Sequence, residues 1–178
     1  MKIGICGTQG TGKSTEAYEL CLNYKKKHPD KTVGLFLEAV VHCPLEKDKV
    51  ATQESELWMF GKQLEHEIYM STKYDVVICD RTILDAIPYT RLLGYDDCAN
   101  GMTQIAKAYI NTYDDIIFKL CRYNDHCHDD GFRDTDKTYR KQIEDGFIEL
   151  FSREFGIEIS PYCEPQTIKH KDFNLVIK

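Results

Sequence analysis

Residues 7–15 read Gly-Thr-Gln-Gly-Thr-Gly-Lys-Ser-Thr, directly after the apolar run Ile3-Gly4-Ile5-Cys6. Few short stretches limit a fold as tightly. The segment fits G-x-x-x-x-G-K-[ST] without substitution, the pattern of a loop that curls between a buried strand and a helix. Glycines let successive backbone N–H groups turn towards a phosphate, and the helix N-terminus adds a favourable dipole. In such a loop Gly7, Gly10, Thr11, Gly12 and Thr15 line the cradle. Lys13 reaches the β- and γ-phosphates, and the Ser14 hydroxyl ligates Mg²⁺. A Gly-rich turn with a chance lysine would account for neither the strand before it nor the helix beginning near Lys13. The expectation is a site for ATP with Mg²⁺.

The rest of the chain alternates strand and helix patterns. A first helix continues from Glu16 to Lys27 and stops at His28-Pro29-Asp30, because proline cannot extend the helical ladder. Thr32–Leu37 reads as a second strand. Gln53–Thr72 reads as a long helix with Leu57, Phe60, Leu64 and Ile68 at helical spacing. Tyr74–Cys79 is a continuous apolar strand of the kind buried in parallel sheets. Helices follow at Ile83–Leu93, kinked at Pro88, and at Met102–Thr112, then a strand at Ile116–Leu120. Tyr139–Phe155 is a helix with Ile143, Phe147, Leu150 and Phe151 on one face, and Ile157-Glu158-Ile159 is a candidate last strand. The tail from Pro161 offers only a possible edge strand at Asn174–Ile177. Strands separated by helices predict an α/β fold in three layers, with a five-stranded parallel sheet in a single domain, residues 1–178.

Composition excludes more than it selects. A chain of 178 residues with net charge −6 lacks a broadly basic nucleic-acid surface, and no apolar run approaches the length that crosses a membrane. Eight cysteines include no C-x-x-C pair. Cys6, Cys21 and Cys79 sit in apolar patterns, where free cysteine behaves as a small hydrophobe. With no secretory leader apparent, the reading is a reduced cytoplasmic protein.

Ligands of such sheets gather beyond the carboxyl ends of the strands, and those ends here carry chemistry. The second strand runs into Glu38, and the third into Asp80-Arg81. Glu38 could take the proton of an attacking hydroxyl, or merely open a loop as an exposed carboxylate. Asp80 would hold Mg²⁺ with Ser14, and Arg81 would bind an acceptor or a phosphate in transfer; a local ion pair at a strand end is the plainer alternative.

Taken with Gly131-Phe132-Arg133-Asp134-Thr135-Asp136, these motifs resemble the P-loop nucleoside and nucleotide kinases. That group includes deoxynucleoside kinases, thymidylate kinases and the ribosylnicotinamide-kinase-like proteins. The resemblance runs to about Ile159. It implies an acid–arginine pair that helps bind the acceptor, and a mobile lid, here residues 122–140, that brings arginines over the phosphates. Tyr123–Asp136 is polar and without period, as a lid would be. Arg133 would neutralise the transferring phosphoryl group and Arg140 would serve the triphosphate, unless Arg140 only pairs with Asp136 on a solvated face. Cys121, His126, Cys127 and His128 are possible zinc ligands, but their spacing matches no common zinc motif.

The acceptor is less constrained. A monophosphate acceptor needs arginine forks, and the chain has six arginines, at 81, 91, 122, 133, 140 and 153. Relatives often carry one shortly after the acid matching Glu38, where this chain has Ala39-Val40-Val41 with His42 beyond. The sequence leans towards a hydroxyl on an unphosphorylated nucleoside or nucleotide-like molecule. Aromatics that could stack on its base are Trp58, Phe60 and Tyr89; Phe60 fits the core stripe better, and core packing suits each at least as well as substrate contact. Two other functions stay open. One is transfer to a hydroxymethylated base in DNA, as in resembling viral enzymes, which a basic groove at Lys62, Lys73 and Lys107 would favour. The other is a nucleotide-gated regulatory ATPase.

Overall fold

The computed structural model describes residues 1–37, 39–120, 136–159 and 166–169. Strand β1 (Lys2–Cys6) is buried along its whole length, as the apolar run Ile3–Cys6 favours, with Lys2 buried at its start. Helix α1 (Lys13–Lys27) starts at Gly12 and ends at His28, with Lys25, Lys26 and Lys27 complementing the negative end of its dipole. Strand β2 (Val33–Phe36) leads through two short 3₁₀ turns to helix α2 (Gln53–Ser71), which Thr52 and Ser55 open with a reciprocal capping box. Strand β3 (Val76–Asp80), helix α3 (Ala86–Leu92), helix α4 (Asp96–Tyr109), strand β4 (Asp115–Phe118), helix α5 (Lys137–Phe155) and strand β5 (Gln166–Lys169) complete the described chain.

The sheet order is β2-β3-β1-β4-β5. Ile3 and Ile5 of β1, Val76 and Ile78 of β3, and Ile117 of β4 face α1, against Ala17, Leu20, Cys21 and Tyr24. The opposite face packs Ile116 and Phe118 under α2, α3, α4 and α5, around Phe60, Ile87, Met102, Ile143, Phe147 and Phe151. Three layers result, as expected. Because β1, β2, β3 and β4 run parallel, their carboxyl ends share one edge, where Cys6 lies beside Phe118 and Phe36 beside Cys79.

The expected five-stranded parallel sheet needs correction: four strands are parallel, and β5 is antiparallel to β4, pairing Gln166 with Phe118 and Lys169 with Asp115. Ile157–Ile159 forms no strand. Helix α5 ends in Gly156, with φ of 63°, and Ile157 N–H is spent on Phe151 O at 3.0 Å. Ile157 and Ile159 pack into the core instead. The suggested edge strand at Asn174–Ile177 lies outside the described residues.

Two helices also differ from expectation. Helix α3 begins only two residues before Pro88, so the missing N–H falls in a first turn that has no acceptor for it, and no kink is needed. On α2, Phe60 and Leu64 join the core, but Leu57 and Ile68 are exposed. The buried face is instead largely polar, carrying Ser55, Glu56, Gln63 and Glu67.

Candidate active site

The loop after β1 is built on three left-handed glycines, Gly7 (φ 135°), Gly10 (φ 71°) and Gly12 (φ 77°). Gly7 passes so close to β4 that a Cβ there would lie 2.4 Å from Lys119 O. Around Gly12 a Cβ would meet nothing within 4 Å among the described residues. Gly12, the N-cap of α1, has no side chain with which to cap it. A helix N-terminus of this kind, with the exposed Thr15 in its first turn, favours an anionic ligand. Thr8, Gln9 and Thr11 are buried beneath the loop. Lys13 is buried too, and its ammonium donates to Thr8 O at 2.6 Å, curled over its own loop.

Asp80 closes the site from β3. Ser14 Oγ donates to Asp80 Oδ2 at 2.6 Å, joining the two residues expected to share Mg²⁺. The other oxygen, Asp80 Oδ1, is buried without a hydrogen-bond partner among the described residues. A buried carboxylate oxygen without a donor is costly. Beside a serine hydroxyl and a loop shaped for phosphate, such an orphan fits a hard cation with oxygen ligands. Among the described residues, no group of three or more His, Cys, Asp or Glu forms another candidate metal centre.

Arg81 follows with φ of 86°, the only non-glycine residue with positive φ among those described. A side chain in that region costs on the order of 1–2 kcal/mol, so the surroundings must hold it there. Its N–H donates to Ile5 O at 2.9 Å and its carbonyl accepts from Gln63 Nε2 at 2.9 Å. Its guanidinium lies 3.3 Å from Asp85 Oδ1 and 5.8 Å from the centre of the Tyr89 ring. Asp85 Oδ2 also accepts from Thr82 N and Oγ1, at 2.8 and 3.0 Å. Burial pushes the Asp85 carboxyl above the usual aspartate range, although Arg81 and Lys13 oppose the shift. Burial likewise pushes the Cys6 and Cys79 thiols well up, which leaves neither as a nucleophile.

Arg140 does not pair with Asp136 on the surface. It is buried on α5, and its Nε donates to Gln9 O at 3.1 Å, against the underside of the phosphate loop. Asp136 caps α5 and pairs with Lys49 at 2.9 Å. Tyr89, of the three aromatics, is the one tied to the site, through a 2.6 Å hydrogen bond from its hydroxyl to Gln9 Oε1. Lys13, Ser14, Asp80, Arg81 and Arg140 thus gather at one edge of the sheet. Glu38, Arg133, the lid up to residue 135 and the four possible zinc ligands lie outside the described residues. Gln9, Gln63 and Asp85 were not foreseen: Gln9 occupies a free position of the loop pattern, and the others give no sequence signal beyond spacing. Of the proposed basic groove, Lys62 pairs with Glu65 at 2.7 Å and Lys107 with Glu154 at 2.6 Å.

A family model described as an AAA domain matches residues 2–162. The chain belongs to that family. No curated protein matches this AAA-domain chain in sequence. Among solved structures, deoxyadenosine kinase from M. mycoides with dCMP and dCDP bound superposes with a TM-score of 0.59 at 17% identity, covering 99% of this chain and 97% of that one. Thymidylate kinase from Ehrlichia chaffeensis gives 0.61 at 20%, covering 86% and 87%. The AAA-domain chain therefore has the P-loop nucleoside and nucleotide kinase fold. None of its described helices is long and apolar enough to cross a membrane.

Proposed function

We propose that this chain is an ATP-dependent kinase that moves the γ-phosphate to a hydroxyl of a nucleoside or nucleotide-like acceptor. One observation carries the reading. The Ser14–Asp80 hydrogen bond, with Asp80 Oδ1 left over, sits between a phosphate cradle and an arginine held in a strained conformation. A loop that only bound nucleotide would not need that arginine fixed at its side. The solved structures of similar fold, a deoxyadenosine kinase and a thymidylate kinase, act on such acceptors.

In the proposed reaction, the Gly7–Thr15 backbone holds the triphosphate and Lys13 turns from Thr8 O to the β- and γ-phosphates. Ser14 and Asp80 would hold Mg²⁺, whose charge offsets that of the phosphate oxygens. Glu38 accepts the proton of the acceptor hydroxyl as that oxygen attacks phosphorus in line and the β–γ bridging bond breaks. Arg133 and Arg140 offset charge on the transferred group and the triphosphate. The scarcity of arginines after Glu38 favours an unphosphorylated acceptor.

The test follows γ-labelled phosphate from ATP into a panel of nucleosides, nucleoside monophosphates, ribosylnicotinamide, and DNA with ordinary or hydroxymethylated bases. Label in a small product is expected, and Lys13→Ala should abolish it. Glu38→Gln should keep ATP binding and lose most transfer; near-normal turnover would remove Glu38 from the mechanism. Label on DNA, or release only as free phosphate, would overturn the small-acceptor reading.

A further inference from the structure

Behind Arg81 lies a buried polar network that the proposed reaction does not use. Its centre is Glu67 on α2, which is fully buried. Glu67 Oε1 accepts from Gln63 Nε2 at 2.8 Å, and Oε2 accepts from the Tyr113 hydroxyl and, at 3.3 Å, from Lys2 Nζ. Lys2 is itself buried, donates to the Tyr109 hydroxyl at 2.8 Å, and lies about 4 Å from the ring centres of Tyr109 (4.0 Å) and Tyr113 (4.1 Å). An isolated carboxylate at this depth would be expensive, so the lysine and the donors make its presence tolerable.

The two side chains fixed by Glu67 grip the backbone on either side of Thr82. Gln63 Nε2 also donates to Arg81 O at 2.9 Å, and the Tyr113 hydroxyl accepts from Ile83 N at 3.3 Å. Gly4 of β1 leaves room beneath, since a Cβ there would lie 2.4 Å from Thr82 Cγ2 and 2.9 Å from the Tyr113 ring. The carbonyl of the strained residue is therefore held by Gln63, and the next peptide group, at Ile83 N–H, by Tyr113, two side chains that share one carboxylate.

We propose that Glu67 is a positioning residue that acts through Gln63 and Tyr113 to hold Arg81 in its left-handed conformation, aiming the guanidinium at the acceptor. The proposal rests on the kinase reading. It accounts for a buried Lys–Glu pair that a core of equal volume could replace without loss of stability, and for a polar buried face on α2.

The experiment uses the full chain with Gln63→Leu and, separately, Tyr113→Phe, which spare the Lys2–Glu67 pair. The acceptor is whichever molecule takes label from ATP with the unsubstituted chain. Gln63→Leu should raise its KM about tenfold while the KM for ATP changes less than about twofold, and the effect should vanish in an Arg81→Ala background. Hydrogen exchange, which needs no acceptor, should quicken in a peptide spanning Asp80–Asp85 and stay unchanged in one spanning Gly7–Lys13. Unchanged exchange at Asp80–Asp85, or a KM effect that persists in full without Arg81, would overturn the positioning role. If Gln63→Leu fails to fold, Tyr113→Phe bears the same kinetic test. No transfer by the unsubstituted chain would overturn the kinase reading itself, and that result precedes any variant.

Discussion

Tyr89 donates its hydroxyl to Gln9 Oε1 across 2.6 Å, tying α3 to the middle of the phosphate loop. The same amide oxygen accepts from Thr8 Oγ1 at 2.9 Å, and the main-chain oxygen of Gln9 accepts from Arg140. Because the Tyr89 ring also lies beside the Arg81 guanidinium, the loop, the acceptor side and α5 meet at one pair of residues. Tyr89→Phe removes the hydroxyl and little else. It should cost about 1 kcal/mol of stability and weaken binding of a non-hydrolysable ATP analogue by about fivefold. Titration calorimetry beside thermal unfolding checks both; an unchanged analogue affinity would reduce the hydrogen bond to a packing role.

Asp80→Asn separates function from stability. Asparagine can still accept from Ser14, and it removes negative charge from a position where Asp80 Oδ1 is buried without a donor among the described residues. The free chain should be as stable as the unsubstituted one or more so, in the manner of active-site groups kept for function. Turnover should need about 10–100-fold more Mg²⁺. A variant that is clearly less stable, with an unchanged Mg²⁺ requirement, would show Asp80 to be structural.

The loop and the strand ends were legible because their information is local. Nine consecutive residues specify the cradle, and apolar runs bounded by acids mark where strands leave the sheet. Arg81 stands out in the sequence as a candidate site residue but not as a strained one, since nothing in its sequence neighbours reports a left-handed backbone held by Gln63 and Ile5 O. Helix α2 misled for a related reason. Its apolar spacing through Leu57 and Ile68 pointed to a core stripe, yet those side chains are exposed. The face actually buried carries Gln63 and Glu67, whose partners Lys2 and Tyr113 are distant in sequence. Strand β5 was missed because a four-residue strand in a polar tail takes its identity from pairing with β4.

Two glycines of the loop should fail in different ways. In Gly7→Ala the new Cβ would meet Lys119 O at 2.4 Å, on a backbone with φ of 135°. Neither the carbonyl nor the strand can yield cheaply, so a loss of more than about 2 kcal/mol in urea unfolding is expected. Gly12→Ala meets no neighbour within 4 Å among the described residues and bears the strain of φ 77°, about 1 kcal/mol. It should fold and yet lose ATP, because its methyl group stands where the cradle opens. Equal losses of stability in the two variants would contradict this picture of the loop.

Asp85 gives the site a pH signature. Burial raises its carboxyl pKa above the ordinary value, with Arg81 and Lys13 only partly opposing. A raised folded-state pKa means that the folded chain binds this proton more tightly than the unfolded chain does. The stability it contributes is therefore full below the unfolded value, about 3.9 for aspartate, and is lost as pH rises through the folded one. Asp85→Asn removes the titration while keeping an oxygen for Thr82. The stability of the unsubstituted chain minus that of the variant, measured by urea unfolding at successive pH values, should fall as pH rises from about 4 and level off above the folded-state pKa. A flat difference would mean that Asp85 titrates alike in both states, and that Arg81 and Lys13 fully offset its burial. A difference that rose with pH would reverse the sign and make the Arg81–Asp85 pair a net stabiliser of the carboxylate.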